Sequence, residues 1–238
     1  MLSEALSTSR PVARPAALAT AWRPATPRTL EEQFSRAPIR AIAAKEHAFA
    51  EGDSRSHLFR VESGAVCLYK VMPDGRRQVL GFAYPGDLIG FGLAEEYQFN
   101  AQATKPARVR VLSWTTVQHT ARHDAALGMR LYEAISNELA AAHDLLLTTG
   151  QRSAAERLAA FLLAMSRRAE RNGQDAGVID LPMTRADIGD FLGLTIETVS
   201  RTFTKLRQRG IIDLAQSARV RLRDIAALEE LAEGGGDL

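Results

Sequence analysis

The chain has 238 residues, a formal net charge of +2 and 46% hydrophobic residues, an ordinary globular composition with room for one large domain or two ordinary ones. Its single cysteine, Cys67, excludes an internal disulfide, and no apolar run approaches the roughly 18 residues that a membrane-spanning helix needs. We therefore expect a cytoplasmic protein without a membrane partner.

The first segment, residues 1–28, is predicted to be a disordered tail. It is rich in alanine, proline, serine, threonine and arginine, a composition that buries too little apolar surface to fold. An arginine-rich, acid-poor N-terminus is also typical of organelle transit peptides, but its repeated prolines favour a tail. Residues 29–55 then begin with a segment that favours a short helix, and a turn signal follows at residues 51–53.

Between Ser56 and Trp114 the pattern changes to short strands and turns. Four segments, SHLFRVE, AVCLYKV, RQVLGFA and ARVRVLSW, alternate polar with apolar residues or are continuously apolar, as strands do. Turn signals that contain glycine separate them at residues 63–64, 73–75 and 85–87. Regular short strands of this kind predict a small antiparallel barrel or roll.

A long helix is predicted from about Ala125 to Ser153. Apolar and small residues recur in it at alternating spacings of four and three, which is the pattern of a coiled-coil seam. An amphipathic core helix is the alternative. Because the seam is rich in small and polar residues, we expect a weak dimer. The predicted seam residues are Tyr132, Ile135, Leu139, Ala142 and Leu146.

The stretch from Thr184 to Gln208, which follows an amphipathic helix at residues 154–171, predicts two short helices joined by a tight turn. Thr184 can cap the first helix, Gly193 ends it, and Thr195 can cap the second. This is a helix-turn-helix pattern, although a solvated helical hairpin has the same spacing. Apolar residues of the second helix are expected to face the core, namely Ile196, Val199, Phe203 and Leu206.

The outer face of the second helix carries polar side chains that suit base recognition. Arg201 can donate two hydrogen bonds to guanine, and Glu197 can accept one from cytosine. A carboxylate that faces a polyanion is best explained if it accepts a hydrogen bond from a base. The predicted base-reading residues are Glu197, Ser200 and Arg201, and the predicted contacts to the DNA backbone are Thr195, Thr198, Lys205, Arg207, Arg219 and Arg221.

Positive charge is concentrated around this stretch. From Thr184 to Arg223, eight lysine and arginine residues face four carboxylates, a net charge of +4, which suits a phosphate backbone. The segments IIDL and RVRLR after Gly210 predict the two strands of a wing. Arg219, Arg221 and Arg223 alternate there and share one face, where plain surface charge is the alternative to a phosphate contact.

The run IGDFLGLTIETVSRTFTKL resembles the DNA-binding helices of the CRP/FNR superfamily of bacterial transcription regulators. Its Glu197, Ser200 and Arg201 are similar to the reading motif of the FNR and FixK branch, and GLTIETVSRT is most similar to FixK-like members. Thr202 stands where many members carry an apolar residue. The segment LFRVESGAVCLYKVMPDGRRQVLGFAYPGDLIG resembles the cyclic-nucleotide-binding β-roll of the same superfamily.

The resemblance implies an α+β chain with an N-terminal β-roll, a long dimerisation helix and a C-terminal winged helix-turn-helix. The implied parts are a tail over residues 1–28, a sensor-like roll over 29–124, the dimerisation helix over 125–153 and the DNA-binding domain over 154–238. It further implies a homodimeric activator that is not an enzyme, contacts RNA polymerase and reads TTGA-type palindromes. Arg201 would contact the guanine, Glu197 its paired cytosine, and Ser200 a thymine.

Two signals known in this superfamily do not fit the sequence. Cyclic-AMP receptors use a glutamate for the ribose and an arginine–serine pair for the phosphate, and these places are occupied here by Phe91 and by Tyr97-Gln98. FNR carries an iron–sulfur cluster on N-terminal cysteines, but residues 1–50 contain no cysteine. We therefore predict no cofactor, and the alternative is a regulator whose β-roll binds another small-molecule or redox signal.

Two further groups are candidate sites. His119 and His123 could share one helix face, but a pair without a third ligand is expected to be ordinary surface, so no metal is predicted. Cys67 lies between apolar strand residues and is expected to be a packed small side chain, with a redox role as the alternative.

Overall fold

The structure is a computed structural model without ligands. It describes residues 29–92, 94–122, 153–216 and 218–235, together with residues 125, 128, 129, 131–133, 135, 136, 139 and 143. The predicted tail at residues 1–28 lies outside this part of the chain, as does much of the predicted dimerisation helix. The described residues between 125 and 143 are helical.

The N-terminal half forms an antiparallel roll, as the alternating segments predict. Its six-stranded sheet has the order β1-β6-β3-β4, with β2 paired to β6 and β5 paired to β3. Two helices lie against it, α1 before the first strand and α2 after the last. The bounds are α1 Leu30–Arg36, β1 Ile39–Ile42, β2 His47–Phe49, β3 His57–Val71, β4 Arg77–Ala83, β5 Leu88–Ile89, β6 Asn100–Ser113 and α2 Trp114–Ala121.

The predicted turn at Ser63-Gly64 is wrong, because β3 runs through it as one strand of 15 residues. The pairing of β3 with β6 shifts register around Ser63 instead, which is a bulge rather than a turn. Gly64 has φ +84°, and a Cβ there would lie 2.7 Å from the backbone oxygen of Pro106. Glycine is required at this position because the two long strands approach too closely for a side chain.

The C-terminal part is a winged helix-turn-helix. Helix α3 packs on a three-stranded antiparallel sheet of order β7-β9-β8 and on the helix-turn-helix pair, and the predicted helix at residues 154–171 and wing strands are confirmed. Within the described part of the chain, no helix is both long and apolar enough to cross a membrane. The bounds are α3 Ala154–Arg171, β7 Val178–Asp180, α4 Arg185–Leu192, α5 Ile196–Gln208, β8 Ile212–Gln216, β9 Arg219–Leu222 and α6 Ile225–Ala232.

Candidate DNA interface

The helix-turn-helix is built by the caps that the sequence predicts. The Thr184 hydroxyl accepts from the Asp187 amide at 3.1 Å, and the Asp187 carboxylate accepts from the Thr184 amide at 2.9 Å, which completes a capping box at the start of α4. Gly193 ends α4 with φ +66°. The Thr195 hydroxyl then accepts from the Thr198 amide at 3.2 Å and starts α5. The turn therefore fixes where α5 begins.

The inner face of α5 consists of Val199, Phe203 and Leu206, all buried as predicted. The prediction for Ile196 is wrong, since 46% of this residue is exposed. The helix starts at Ile196 and reaches the buried core only at Val199, so its first turn projects beyond the core. An exposed apolar side chain at the projecting end of a recognition helix can contact thymine methyl groups.

Thr202, which replaces an apolar residue of many related sequences, is buried without an unsatisfied hydroxyl. It is 6% exposed, and its Oγ1 donates to the Thr198 carbonyl oxygen at 2.8 Å. A buried hydroxyl with a partner avoids the cost of burying an unpaired polar group. The helix therefore tolerates threonine here.

The outer face of α5 presents Glu197, Ser200 and Arg201 to solvent. The Arg201 Nη2 atom lies 3.5 Å from the Thr198 hydroxyl oxygen. Neither Glu197 nor Arg201 forms a salt bridge with any residue that the structure describes. The three predicted base-reading side chains thus share one exposed helix face, and the two charged ones are available for other partners.

Exposed basic side chains surround this face. Lys205 and Arg207 are exposed on the last turns of α5. On β9, Arg219 and Arg221 are exposed while the residues that follow them are buried, which confirms the predicted alternation. Arg219 pairs with Asp180 at 3.1 Å, but both side chains are more than half exposed. An exposed pair of this kind contributes little and can exchange for a phosphate contact.

Arg185 belongs to the basic stretch that the sequence indicates, but it is not among the predicted backbone contacts. It begins α4, where a positive charge is unfavourable because the positive end of the helix dipole lies there. Its guanidinium carbon lies 3.2 Å from the Phe203 ring centroid, and burial lowers its pKa from 12.5 to about 10. It has no carboxylate partner in the described part of the chain. A basic residue at the positive end of a helix dipole was the sequence signal that could have singled out Arg185.

Aromatic rings pack the roll interior around Tyr97, which occupies a place that cyclic-AMP receptors use for the phosphate. Tyr97 is 5% exposed, its ring stacks on Phe49 with centroids 3.9 Å apart, and its hydroxyl donates to the His57 carbonyl oxygen at 2.8 Å. Phe91 packs on a second apolar cluster, which contains Phe34. Neither position presents a cation or a free hydroxyl to a phosphate.

A cavity of about 440 Å³ lies between α1 and the roll, beside the cluster on which Phe91 packs, because Phe34 and Leu88 belong to both. Its charged lining consists of Arg60, Glu31 and Glu62. Arg60 forms salt bridges with Glu31 at 2.7 Å and with Glu62 at 3.0 Å. Glu62 also pairs with Arg110 at 3.1 Å, so the charged groups at the cavity are paired with one another.

Cys67 lies in β3 and is 1% exposed. Burial raises the pKa of its thiol to about 12, against the opposing effect of the nearby Arg77 charge. Arg77 Nη2 donates to the Cys67 sulfur at 3.1 Å. These features favour a packed thiol over a redox switch.

The predicted dimer seam is exposed wherever the structure describes it. Tyr132, Ile135 and Leu139 are 65%, 53% and 55% exposed, although all three are apolar or aromatic. Ala142 and Leu146 lie outside the described residues, as does His123. Among the residues described, no three histidine, cysteine, aspartate or glutamate side chains come close enough to hold a metal ion.

Comparison with known proteins identifies both halves of the chain. The cyclic nucleotide-binding domain matches residues 39–124 and the Crp-like helix-turn-helix domain matches residues 156–231. The nitrogen fixation regulation proteins FixK of Bradyrhizobium diazoefficiens and Azorhizobium caulinodans are each 40% identical over 191 residues, 80% of this chain and 80% and 77% of their own. The transcriptional activatory protein AadR of Rhodopseudomonas palustris is 38% identical over 84% of both chains.

The fold agrees with these relatives. The structure of FixK2 from Bradyrhizobium japonicum superimposes with a TM-score of 0.77 at 35% identity and covers 82% of this chain and 96% of that one. A roll followed by a helix-turn-helix is therefore shared along most of the chain, and not only within the DNA-binding helices. The chain belongs to the CRP/FNR family of transcription regulators, as a member of FixK/FNR type with a DNA-binding helix-turn-helix domain and not an enzyme.

Proposed function

We propose that the chain is a homodimeric activator that reads a TTGA-type inverted repeat through Glu197, Ser200 and Arg201. It does so without cyclic AMP or an iron–sulfur cluster, and it activates transcription by contacting RNA polymerase. The observation that carries this proposal is the outer face of α5, where an acidic and a basic side chain lie together on a capped helix, exposed and without salt bridges among the described residues.

The charge arrangement of this face supports base reading. A bare carboxylate repels phosphate, so Glu197 would weaken binding to any DNA unless it accepts a hydrogen bond from a base such as cytosine. Arg201 is the matching donor for the guanine of the same base pair. Lys205, Arg207 and Arg221, together with Arg185, would hold the backbone on either side.

Packing in the roll supports the absence of a nucleotide. Tyr97 occupies the interior beside Gly90, where an added Cβ would already lie 3.3 Å from the tyrosine ring. Removal of this ring would be needed before a purine could enter. The arginine that lines the cavity beside α1, Arg60, is engaged by Glu31 and Glu62, which makes it a poor anchor for a cyclic phosphate.

The exposed apolar side chains of the helical segment support the homodimer. Tyr132, Ile135 and Leu139 follow the seam spacing, and water would solvate them in a monomer at a cost of about 25 cal/mol for each Å² of apolar surface. A second copy that presents the same seam covers them by symmetry. The dimer would then place two recognition helices on half-sites about 34 Å apart.

A fluorescence-anisotropy titration tests the proposal. The protein, under air and without added ligand, is titrated onto a duplex with a TTGAT-N4-ATCAA palindrome and onto a scrambled duplex at the same salt concentration. We expect tight binding to the palindrome only. Equal affinity for the two duplexes would contradict the proposal, and preference that appears only with an added small molecule would support the alternative of a ligand-sensing roll.

The dimer is tested separately by analytical ultracentrifugation. Leu139→Glu should convert the dimer to a monomer and abolish half-site cooperativity, because it buries a charge in the seam. Glu133→Ala, a change on the same helix outside the seam, is the control. A monomeric wild-type protein that still reads the palindrome would refute the proposed assembly.

A further inference from the structure

The roll and the helix-turn-helix are joined by polar contacts between β4 and α4. Arg77 of β4 donates from Nη1 to the Asp187 carboxylate at 2.6 Å and to the Asp190 carboxylate at 3.3 Å. The neighbouring Gln78 donates from Nε2 to the Asp190 carbonyl oxygen at 3.0 Å. The edge of the roll is therefore hydrogen-bonded to the first helix of the DNA-binding pair.

A second ion pair closes the other end of the same contact. Arg168 of α3 donates from Nη2 to the Asp87 carboxylate at 2.8 Å and lies over the Tyr84 ring at 4.4 Å. Arg77 likewise lies over a tyrosine of the roll, Tyr69, at 4.3 Å. Each arginine is thus held between an aromatic face and a carboxylate of the facing domain, which adds cation–π attraction to the ion pair.

Aromatic side chains fill the space between these two ends. Phe82 of the roll meets Phe191 of α4 with ring centroids 5.6 Å apart, and Phe191 meets Phe161 of α3 at 5.8 Å. The Tyr84 hydroxyl donates to the Met165 sulfur at 3.2 Å. The apolar centre gives the contact area, while the two arginines fix its register.

The contact is made by α4 and leaves the predicted base-reading side chains of α5 uncovered. Asp187, Asp190 and Phe191 belong to α4, whereas Glu197 and Arg201 on α5 stay exposed. The docked arrangement and DNA binding are therefore compatible in one chain. This distinguishes the contact from an autoinhibitory one, which would cover the recognition face.

We propose that Arg77 is a positioning residue for DNA binding, which acts through Asp187 and Asp190 as a latch that holds the helix-turn-helix on the β-roll in its DNA-binding orientation without a ligand. The proposal rests on the proposed function of the chain as a palindrome-reading dimer. We refer below to Arg77, Asp187 and Asp190 together as the latch.

Preorganisation is the physical reason for such a latch. A dimer that reads two half-sites must place both recognition helices at a fixed separation, and a domain that moves on a tether loses this freedom when it binds. Domain contacts within one chain are by default loose. A latch that restricts the domain before binding reduces the entropy lost at the DNA and so raises the affinity.

The electrostatics of the latch support its persistence in water. Burial alone would raise the pKa of Asp187, but the hydrogen bonds from Arg77 and Thr184 hold it below its ordinary value. Arg77 in turn is only 27% exposed in its side chain, and the Asp187 side chain is 12% exposed. A pair this shielded is screened little by salt.

Substitutions at adjacent arginines test the latch by DNA affinity. Arg77→Gln should weaken binding to the palindrome by about tenfold, within the usual range of coupling between sites. Arg77→Glu should weaken it further, because it adds a third carboxylate beside Asp187 and Asp190, and Arg77→Lys should restore part of the loss. The control is Arg76→Gln, since Arg76 is 84% exposed in its side chain and, among the described residues, pairs only with Asp74 of its own hairpin.

A distance measurement separates positioning from a general structural role. Spin labels are placed at Lys105→Cys on the roll and at Glu229→Cys on α6, both exposed, and labelled chains are diluted with unlabelled ones so that each dimer carries one labelled chain. Double electron–electron resonance spectroscopy should give a narrow distance distribution for the parent protein and for Arg76→Gln. Arg77→Gln should broaden it while thermal unfolding of the chain stays cooperative.

The outcomes decide the proposal in either direction. A broadened distribution together with weaker binding supports the latch. An unchanged distribution, or tighter DNA binding by Arg77→Gln, overturns it, and tighter binding would show that the contact restrains the domain against binding. If the parent protein fails to select the palindrome, the proposed function fails, whereas the distance distributions still decide whether Arg77 holds the two domains together.

Discussion

The interior of the β-roll and the outer face of α5 differ in how their side chains are buried and paired. In the roll, Tyr97, Phe49 and Phe59 bury their rings against one another, and the Tyr97 hydroxyl is paired with a backbone carbonyl. On α5, Glu197 and Arg201 are exposed and have no salt bridges among the described residues. The Tyr97 hydroxyl is satisfied within the protein, whereas the charged groups on α5 are available to other partners.

This difference indicates where the chain is specialised. The packed rings around Tyr97 contribute stability, and a guest at that place would have to displace buried aromatic surface. Exposed charged side chains contribute little to stability, so substitutions on the outer face of α5 should leave it nearly unchanged. If the roll serves as a scaffold, as we propose, substitutions in the two regions should change different measurements.

The largest expected effect is on stability, from Tyr97→Ala. Loss of this buried ring leaves a cavity among Phe49, Phe59 and Gly90 and should lower the free energy of unfolding by about 3–5 kcal/mol, as measured by urea titration. The ratio of affinities for the palindrome and the scrambled duplex should stay the same. Tyr132→Ala, on the exposed helical segment, is the matched control. Its stability is measured at protein concentrations at which the chain is monomeric, because Tyr132 belongs to the proposed dimer seam. A change in the affinity ratio with Tyr97→Ala would show that the roll interior also affects sequence recognition.

Arg201→Ala should have the reverse signature. It should reduce binding to the palindrome by about 1–3 kcal/mol and remove discrimination at the guanine, with stability unchanged within about 0.5 kcal/mol. Arg207→Ala is the comparison, since a phosphate contact should weaken binding to all sequences alike and reduce its salt dependence. Equal losses on palindromic and scrambled DNA with Arg201→Ala would contradict base reading by this residue.

The pH dependence of stability sharpens the comparison at the junction of the two regions. The pKa of Asp187 lies below its ordinary 3.8, because hydrogen bonds from Arg77 and Thr184 outweigh burial. Its contribution is therefore present above about pH 3.8 and is lost as the pH falls through the lower folded pKa. Burial raises the pKa of Asp190 despite Arg77, so protonation of Asp190 in acid is favourable to the folded state.

Asp187→Asn should accordingly lower the free energy of unfolding by about 1–2 kcal/mol at pH 7, the usual loss when a cap and a charged hydrogen bond are removed. It should also flatten the acid limb, which is the fall of the unfolding free energy below about pH 4. Asp190→Asn should cost less at pH 7 and leave that limb in place. Unfolding free energies measured from pH 3 to 7 distinguish the two. A steeper acid limb in Asp187→Asn than in the parent would contradict the assignment.

Local chemistry made much of this structure predictable. Thr184, Gly193 and Thr195 predict the bounds of α4 and α5, because caps depend on neighbouring residues. Alternation of polar and apolar residues likewise predicts the wing strands. Ile196 was misassigned because helical spacing does not show where the core ends. The contact of Arg77 with Asp187 joins residues 110 positions apart, and no local pattern contains it.

The smallest effect on DNA binding is expected from the chemistry of Cys67. A reactive thiol at this position would allow oxidation of the roll to change DNA binding. The pKa of Cys67 is raised from 9.0 to about 12 by burial, which lowers the thiolate fraction at neutral pH about a thousandfold. Iodoacetamide should therefore leave the folded protein unmodified and react after denaturation, as mass spectrometry would show. DNA affinity should be the same under air and with dithiothreitol. Rapid modification of the folded protein with loss of palindrome binding would instead make the roll a redox sensor, and the contrast between a closed roll and an open recognition face would no longer hold.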